Sequence, residues 1–455
     1  MNEQDIEFLQ TFFRQVATER PLDPASDRRY VPLYGKDAHG RAMLADDDED
    51  PIERFTRGIQ SSSGDSVRLL CGARGVGKST ELRRLQDKLR TAGFHVLLID
   101  MEDFVNMTTP IDISDFLIVI AGGVGEALST PEMLGKNPIK EGYWGRLVQF
   151  LRKTNVKLPN VDVGKLLPTD VKIELKTDPS FRQNIQQHLA GHVGALYRDV
   201  CAFFGDCVAA LRREHGDAAE LVVLVDSIDH IRGTSQNAEA VQSSIETLFV
   251  GHPSRLKIPQ VHFVYTVPPY LKVRSPKFGS HYGKGTVAMF PLVKVKHKET
   301  GEPHEDGIRA LARIVRARGD VDRLLGKEHG ETLLRNVIVA SGGHVRDLLR
   351  LFAEITLRAH SIPVEPEAVH GAINQLRWEL VPISDENALW LERIATTNDA
   401  SLGDDHLLPK LAHFLETGLV LCYRNGPEWY DVHPLVRDIV IEQAARIKRT
   451  REKPT

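Results

Sequence analysis

Cysteine, net charge and long apolar runs are all scarce in this 455-residue chain. Its four cysteines, Cys71, Cys201, Cys207 and Cys422, include no CxxC pair. That is too sparse for a disulfide framework and fits a reducing cytoplasm. Lysine and arginine number 58 against 62 acids, a net charge of −4. No global preference for nucleic acid follows, although a local basic patch stays open. The longest apolar run, "FLIVIAGGVG" from Phe116 to Gly125, falls short of the roughly 20 residues a membrane-spanning helix needs. It reads as a buried helix, and no membrane partner is expected. The opening "MNEQDIEFLQTFFRQV" has acids where a secretion signal needs bases, and no uninterrupted apolar stretch. No repeat of fixed period occurs.

What is present is the composition of a soluble globular protein, 42% hydrophobic and 26% charged. The length implies two or three domains. A first helix leads into an irregular segment with "RYVPLYG" and the acidic run Asp46–Asp50, read as a solvated loop. Strand-like and helix-like runs then alternate: "SVRLLCG", "KSTELRRLQDKLRTAG", "HVLLIDM", and later "ELVVLVDSIDHI" and "QVHFVYTVPPYL". That order implies parallel βαβ units. Between about 130 and 180 the pattern loosens into an insertion or flap. A long helix is expected from Asp178-Pro179 towards Gly216, with Pro favourable in its first turn. Beyond about 305 the pattern is helical. The end of the chain reads as two helices, a strand, an Asn425-Gly426 hairpin turn, a strand and a helix, as in a winged-helix domain.

Gly72-Ala73-Arg74-Gly75-Val76-Gly77-Lys78-Ser79 satisfies GxxxxGK[ST], after a strand and opening a helix. The glycines let backbone N–H groups approach phosphates at a helix N-terminus, whose dipole favours anions. Lys78 would reach the β and γ phosphates, Ser79 would ligate Mg²⁺, and Thr80 closes the loop. The bland alternative is an ordinary Gly-rich turn. Asp226 ends an apolar strand, Val222–Val225, which puts a carboxylate at the strand's C-terminal edge, where it could hold Mg²⁺ through its waters. Asp229 could polarise the attacking water or cap the next element.

The Walker A at 72–79, the "VDSID" Walker B, the strand "VHFVYTV" and "SGGHVRDLL" together resemble AAA+ and STAND ATPases. The likeness is to the origin-recognition and STAND branch, with NACHT and NB-ARC switches and many bacterial anti-phage proteins. It spans roughly residues 64–445. It implies an α/β P-loop NTPase with a parallel sheet, a helical lid and a C-terminal winged helix. The corresponding segments are 1–62 (N-terminal helix and linker), 63–300 (ATPase core), 301–364 (lid) and 365–455 (winged helix). By resemblance, Thr266 stands at the sensor 1 position and Arg346 at the sensor 2 position. The alternatives are a strand-terminal threonine and a surface arginine. Arg255 is the candidate arginine finger reaching a neighbouring subunit, with Arg274 and Arg232 as competitors. His433 in "YDVHPLVRD" resembles the winged-helix histidine that contacts the β-phosphate of ADP; capping the helix at Pro434 is the other reading.

One departure bears on function. Motor-type members have Glu directly after the Walker B Asp, and this chain has Ser227. Slow hydrolysis suits a switch. The would-be recognition helix "DDHLLPKLAHFLETG" carries Asp404, Asp405 and Glu416 against Lys410, the wrong charge to lie among phosphates. The basic clusters Arg309/Arg313/Arg316 and Lys294/Lys296/Lys298 have acids nearby and read as solvated or subunit-facing surfaces. The expectation is therefore an ATP- and Mg²⁺-binding, slowly hydrolysing homo-oligomeric switch, the ATPase of a defence-type system with a separate effector or sensor protein. The alternative is a DNA-associated ATPase helping replication initiation or transposition, with nucleic acid as its partner. ATP over GTP follows from the resemblance, as no NKxD signature is present.

Overall fold

The runs Leu221–Asp226 and Val261–Val267 are buried along their whole length. Strands apolar on both faces need cover on both faces, which parallel α/β sheets supply. In the computed structural model they are the centre of such a sheet. The structure describes all residues except 19, 35–49, 129, 131–132, 135–175, 235, 284, 402–406, 424–427 and 453–455. The insertion expected at about 130–180, most of the acidic run, the Asn425-Gly426 turn, and Asp404 and Asp405 lie wholly or largely outside the described residues.

The chain divides into two compact units. One holds Pro51–Cys71 and Glu81–Ala288. Two helices precede the first strand: α1 (Glu3–Val16) belongs to the other unit, and α2 (Pro51–Gln60) to this one. The sheet comprises β1 (Ser66–Cys71), β2 (His95–Asp100), β3 (Leu221–Asp226), β4 (Val261–Val267) and β5 (Val287–Met289), in the order β2-β3-β4-β1-β5. The pairings β2–β3, β3–β4 and β1–β4 are parallel. Helix α3 (Lys78–Thr91) follows β1, and α4 (Ile113–Leu128) packs on β2. As expected, Phe116–Gly125 is buried helix within α4. No described helix is long and apolar enough to cross a membrane.

The single long helix expected from Pro179 is two: α5 (Pro179–Leu189) and α6 (Val193–His215). The break falls at Ala190-Gly191-His192, where glycine weakens the helix and His192 N–H turns back to Leu189 O at 2.8 Å. The rest of this unit adds α7 (Ala238–Glu246) and the short α8 (Tyr270–Arg274).

The second unit gathers Met1–Asp50, Gly72–Thr80 and Met289–Thr455. It thus holds α1 and the glycine-rich loop along with the C-terminal half. Helices α9 (Glu305–Arg316), α10 (Val321–Leu325), α11 (Gly330–Ala340), α12 (Val345–Arg358) and α13 (Pro366–Glu379) form its helical part. Phe12 of α1 packs on Phe352 of α12. The winged-helix arrangement follows as α14 (Asp385–Thr397), α15 (Leu408–Thr417), β6 (Val420–Tyr423), β7 (Trp429–Val432) and α16 (Pro434–Glu452). β6 and β7 pair antiparallel, and α14 packs against both β7 and α16.

Candidate functional site

The glycine-rich loop runs from the end of β1 to the first residue of α3. Gly75 and Gly77 take φ of +88° and +104°, a region closed to most side chains. Lys78 is buried, and its Nζ donates to the carbonyls of Gly72 (2.9 Å) and Ala73 (2.7 Å). Val76 is buried and Ser79 half-buried. The Thr80 hydroxyl accepts from Leu22 N–H at 3.1 Å, so that side chain ties the N-terminal segment to the loop.

Helix α12 abuts the loop with its N-terminus. The Arg346 amide donates to Gly75 O at 3.2 Å, using one of the first-turn N–H groups that have no partner within a helix. His344, the N-cap of α12, donates from Nε2 to the carbonyl of Arg74. Its Nδ1 lies 2.7 Å from Asp347 Oδ2 and accepts from the Asp347 N–H at 3.4 Å. Burial disfavours the Asp347 carboxylate, but His344 and then His433 outweigh it and hold it well below the usual range. A Cβ at Gly75 would lie 2.7 Å from Arg346 Cβ and 2.9 Å from His344 Cε1. The sequence expectation singled out Arg346 in this motif and passed over His344 and Asp347. The signal was legible: a polar N-cap with an acid three residues on.

His433 is buried, 1% exposed. Its Nδ1 accepts from Leu435 N–H at 3.2 Å, which caps α16, and its Nε2 lies 3.4 Å from Asp347 Oδ2. The capping reading of His433 is thus realised. Of the two histidines, His344 is the one bonded to the loop. The turn before α12 is pinned as well. Gly342 and Gly343 both have positive φ, a Cβ on Gly343 would collide with Val293 O, and Tyr423 Oη donates to Gly342 O at 2.6 Å.

In the sheet unit, Asp226 ends β3 and Cys71 ends β1, at the same edge of the parallel sheet with β4 between them. Asp226 is buried, and its Oδ1 accepts from Ser227 N–H at 2.8 Å. Ser227 is buried with φ +65°. Thr266 is fully buried; its Oγ1 accepts from Ile228 N–H at 3.2 Å and contacts Val225 O at 3.5 Å. Thr266 therefore holds the two residues flanking Asp226-Ser227. Asp229 follows in a short turn, with His230 Nε2 at 3.8 Å.

Among the arginine-finger candidates, Arg274 is engaged at home, 2.8 Å from Glu246 and bonded to Gln242 and Ser243. Arg255 lies over the Tyr197 ring at 5.9 Å, half-buried, and Arg232 is exposed. The described residues contain no group of three or more His, Cys, Asp or Glu that could by itself hold a metal.

No protein-family model matches this chain. No curated protein matches it either. Among solved structures, a Walker-type ATPase of Pyrococcus abyssi is 14% identical, over 91% of this chain and 99% of its own, at a TM-score of 0.40. The ORC2 protein of Aeropyrum pernix, solved as ADPNP–ADP complexes, is 15% identical over 94% and 98%, at 0.42. The Aeropyrum pernix ORC1 protein, solved in complex with DNA, is 13% identical over 88% and 93%, at 0.33. With TM-scores below 0.5, these likenesses decide nothing about activity or partners. The α/β assignment rests on the parallel strand pairing, and the site on its own geometry.

Proposed function

We propose that this protein binds ATP with Mg²⁺ at Gly72–Ser79 and works as a slowly hydrolysing switch that assembles with copies of itself. The observation that carries the reading is the loop itself. Two consecutive carbonyls, of Arg74 and Gly75, are tied to the N-terminus of α12, with the Lys78 ammonium at the loop's end. In a trans peptide the C=O and the following N–H point opposite ways. Tying those carbonyls back turns the Gly75 and Val76 amides away from α12, as a phosphate-binding nest requires. Lys78, the loop amides and Ser79 would hold the phosphates, and Ser79 and Asp226 are the residues we assign to Mg²⁺. Bound nucleotide would supply a transferable γ-phosphoryl group. Asp229, Thr266 and Arg346 are the residues we assign to sensing it, Arg255 to contacting a neighbour's nucleotide, and His433 to transmitting the bound state.

Slow turnover has a physical basis in Ser227. A buried residue with φ +65° is a costly place for the glutamate that motor-type ATPases use. A partner protein, rather than DNA, is favoured by how the basic residues are spent. Lys410 pairs with Glu386, Arg309 with Asp306, Arg316 with Glu331, and Lys296 with Asp431. The defence-type setting and a separate effector or sensor come from the sequence resemblance alone. The test is mass in solution with ADP, with ATP, and with ATP plus duplex DNA. ATP-dependent growth absent from Lys78→Ala supports the switch. Growth only with duplex DNA would move the reading to a DNA-associated ATPase. Unchanged mass in all three would remove assembly from it.

A further inference from the structure

The loop amides can receive a phosphate only if the peptide planes on either side of Gly75 stay fixed. Resting on the nucleotide reading above, we propose that His344, Asp347 and His433 are positioning residues through which the winged helix sets the shape of the phosphate-binding loop.

The chain of contacts lies wholly within one compact unit. It begins at the Arg74 carbonyl, held by His344 Nε2. His344 Nδ1 lies 2.7 Å from Asp347 Oδ2. The same oxygen faces His433 Nε2 at 3.4 Å, near enough for electrostatic contact and too long for a well-formed hydrogen bond. His433 Nδ1 in turn accepts from Leu435 N–H, in the first turn of α16. One carboxylate oxygen thus answers to two histidines, one bonded to the loop and one in the winged helix. Arg350 adds a further contact, 3.6 Å from Asp347 Oδ1.

Two features make the chain a coupling device as well as packing. The turn carrying His344 is itself clamped by the winged helix: Tyr423 of β6 bonds Gly342 O, and a Cβ on Gly342 would strike Leu421 and Pro434. Gly75 also has no side chain to resist rotation, so the direction of the Arg74–Gly75 peptide leans on the hydrogen bond from His344 to the Arg74 carbonyl. When the winged helix moves, His433 and the β6 contact leave together. Among the described residues, Asp347 then keeps His344 and Arg350 to balance it. His344 is drawn from Arg74, and the Gly75 amide loses its fixed direction. Conversely, phosphate bound to that amide favours the arrangement in which the winged helix is docked, because linkage is reciprocal. His433 acts in this scheme without touching nucleotide.

The experiment is a titration of the full chain with ATP and with ADP, in Mg²⁺, for the wild type, His344→Ala, His344→Gln, His433→Gln and the double variant His344→Ala/His433→Gln. Thermal unfolding checks that each is folded. Loss of the hydrogen bond to the Arg74 carbonyl, which organises the loop, should weaken binding roughly tenfold in His344→Ala. His344→Gln, which keeps an N–H donor for the Arg74 carbonyl, should recover most of that loss. His433→Gln should weaken binding about threefold in the wild-type background and change it little once His344 is alanine, since the path is already cut. A structural role alone would lower the unfolding temperature and leave this pattern absent. Multiplicative effects in the double variant, or a folded His433→Gln with wild-type affinity, would overturn the coupling while leaving the nucleotide site intact. If the wild type binds no nucleotide, the nucleotide reading falls and the coupling with it.

Discussion

Replacing Gly75 by alanine should damage both the fold around α12 and the binding of nucleotide. Gly75 has φ +88°, where a Cβ costs about 1–2 kcal/mol. That Cβ would also stand 2.7 Å from Arg346 Cβ and 2.9 Å from His344 Cε1. Neither neighbour swings away freely, since Arg346 Cβ is bonded to the α12 backbone and the His344 ring is held between the Arg74 carbonyl and Asp347, and overpacking of this kind costs about 1–3 kcal/mol more. Gly418, after α15, is the control: its φ is +76° and a Cβ there meets nothing within 4 Å, so Gly418→Ala carries only the conformational term. At about 2–4 °C per kcal/mol for a body of this size, Gly75→Ala should melt at least about 2 °C, and up to about 12 °C, below Gly418→Ala. Differential scanning fluorimetry without nucleotide reads this gap, and titration with ATP should then show affinity lower by about tenfold or more as the Arg74 and Gly75 carbonyls lose their partners. Equal melting temperatures for the two variants, or wild-type ATP affinity in Gly75→Ala, would refute the claim that α12 packs on and organises the loop.

Three further outcomes are expected. Asp347 is held below the usual carboxylate range in the fold despite its burial, so its stabilisation is present above the unfolded value, about 4, and is lost on acidification. Asp347→Asn should therefore melt below the wild type at pH 7, with the gap closing towards pH 3; a gap that widens in acid would contradict the pairing. Asp115 has the opposite sign: burial pushes it up to about 6, against the pull of Arg182 3.8 Å away. Its contribution is present below the unfolded value and lost as pH rises through about 6, so Asp115→Asn should gain on the wild type between pH 4.5 and 7.5, and a pH-independent difference would sink this assignment. Ser227→Glu should melt lower and leave ATP turnover no faster, because the position is buried with positive φ; turnover raised tenfold would show that slow hydrolysis had simply awaited the missing base.

Much of the sheet and the loop was legible in the residues. Val222–Val225 and Val261–Val267 announce themselves by length and β-branching, and GxxxxGKS by glycine spacing that few other backbones need. The helix break at Ala190–His192 was harder, because the apolar period continues on both sides and one glycine is often tolerated within a helix. His344 and Asp347 stood in a motif read chiefly for its arginine. Their meaning depends on the Arg74 carbonyl, some 270 residues earlier, and no local pattern reports such a contact. His433 was legible as a notable histidine. Its immediate partner, a carboxylate on α12, was not, since the resemblance pointed instead to a phosphate. The left-handed turn at Ser227 was invisible for a similar reason: Thr266 and the neighbouring strand impose it, and serine alone does not ask for it.

The most direct test of the account is calorimetric titration of the full chain with ATP and Mg²⁺, wild type beside Lys78→Ala. The account predicts saturable one-site binding by the wild type, competed by ADP, and no measurable binding by a Lys78→Ala protein that still melts cooperatively. Undiminished binding by that variant, or none by the wild type, would contradict it.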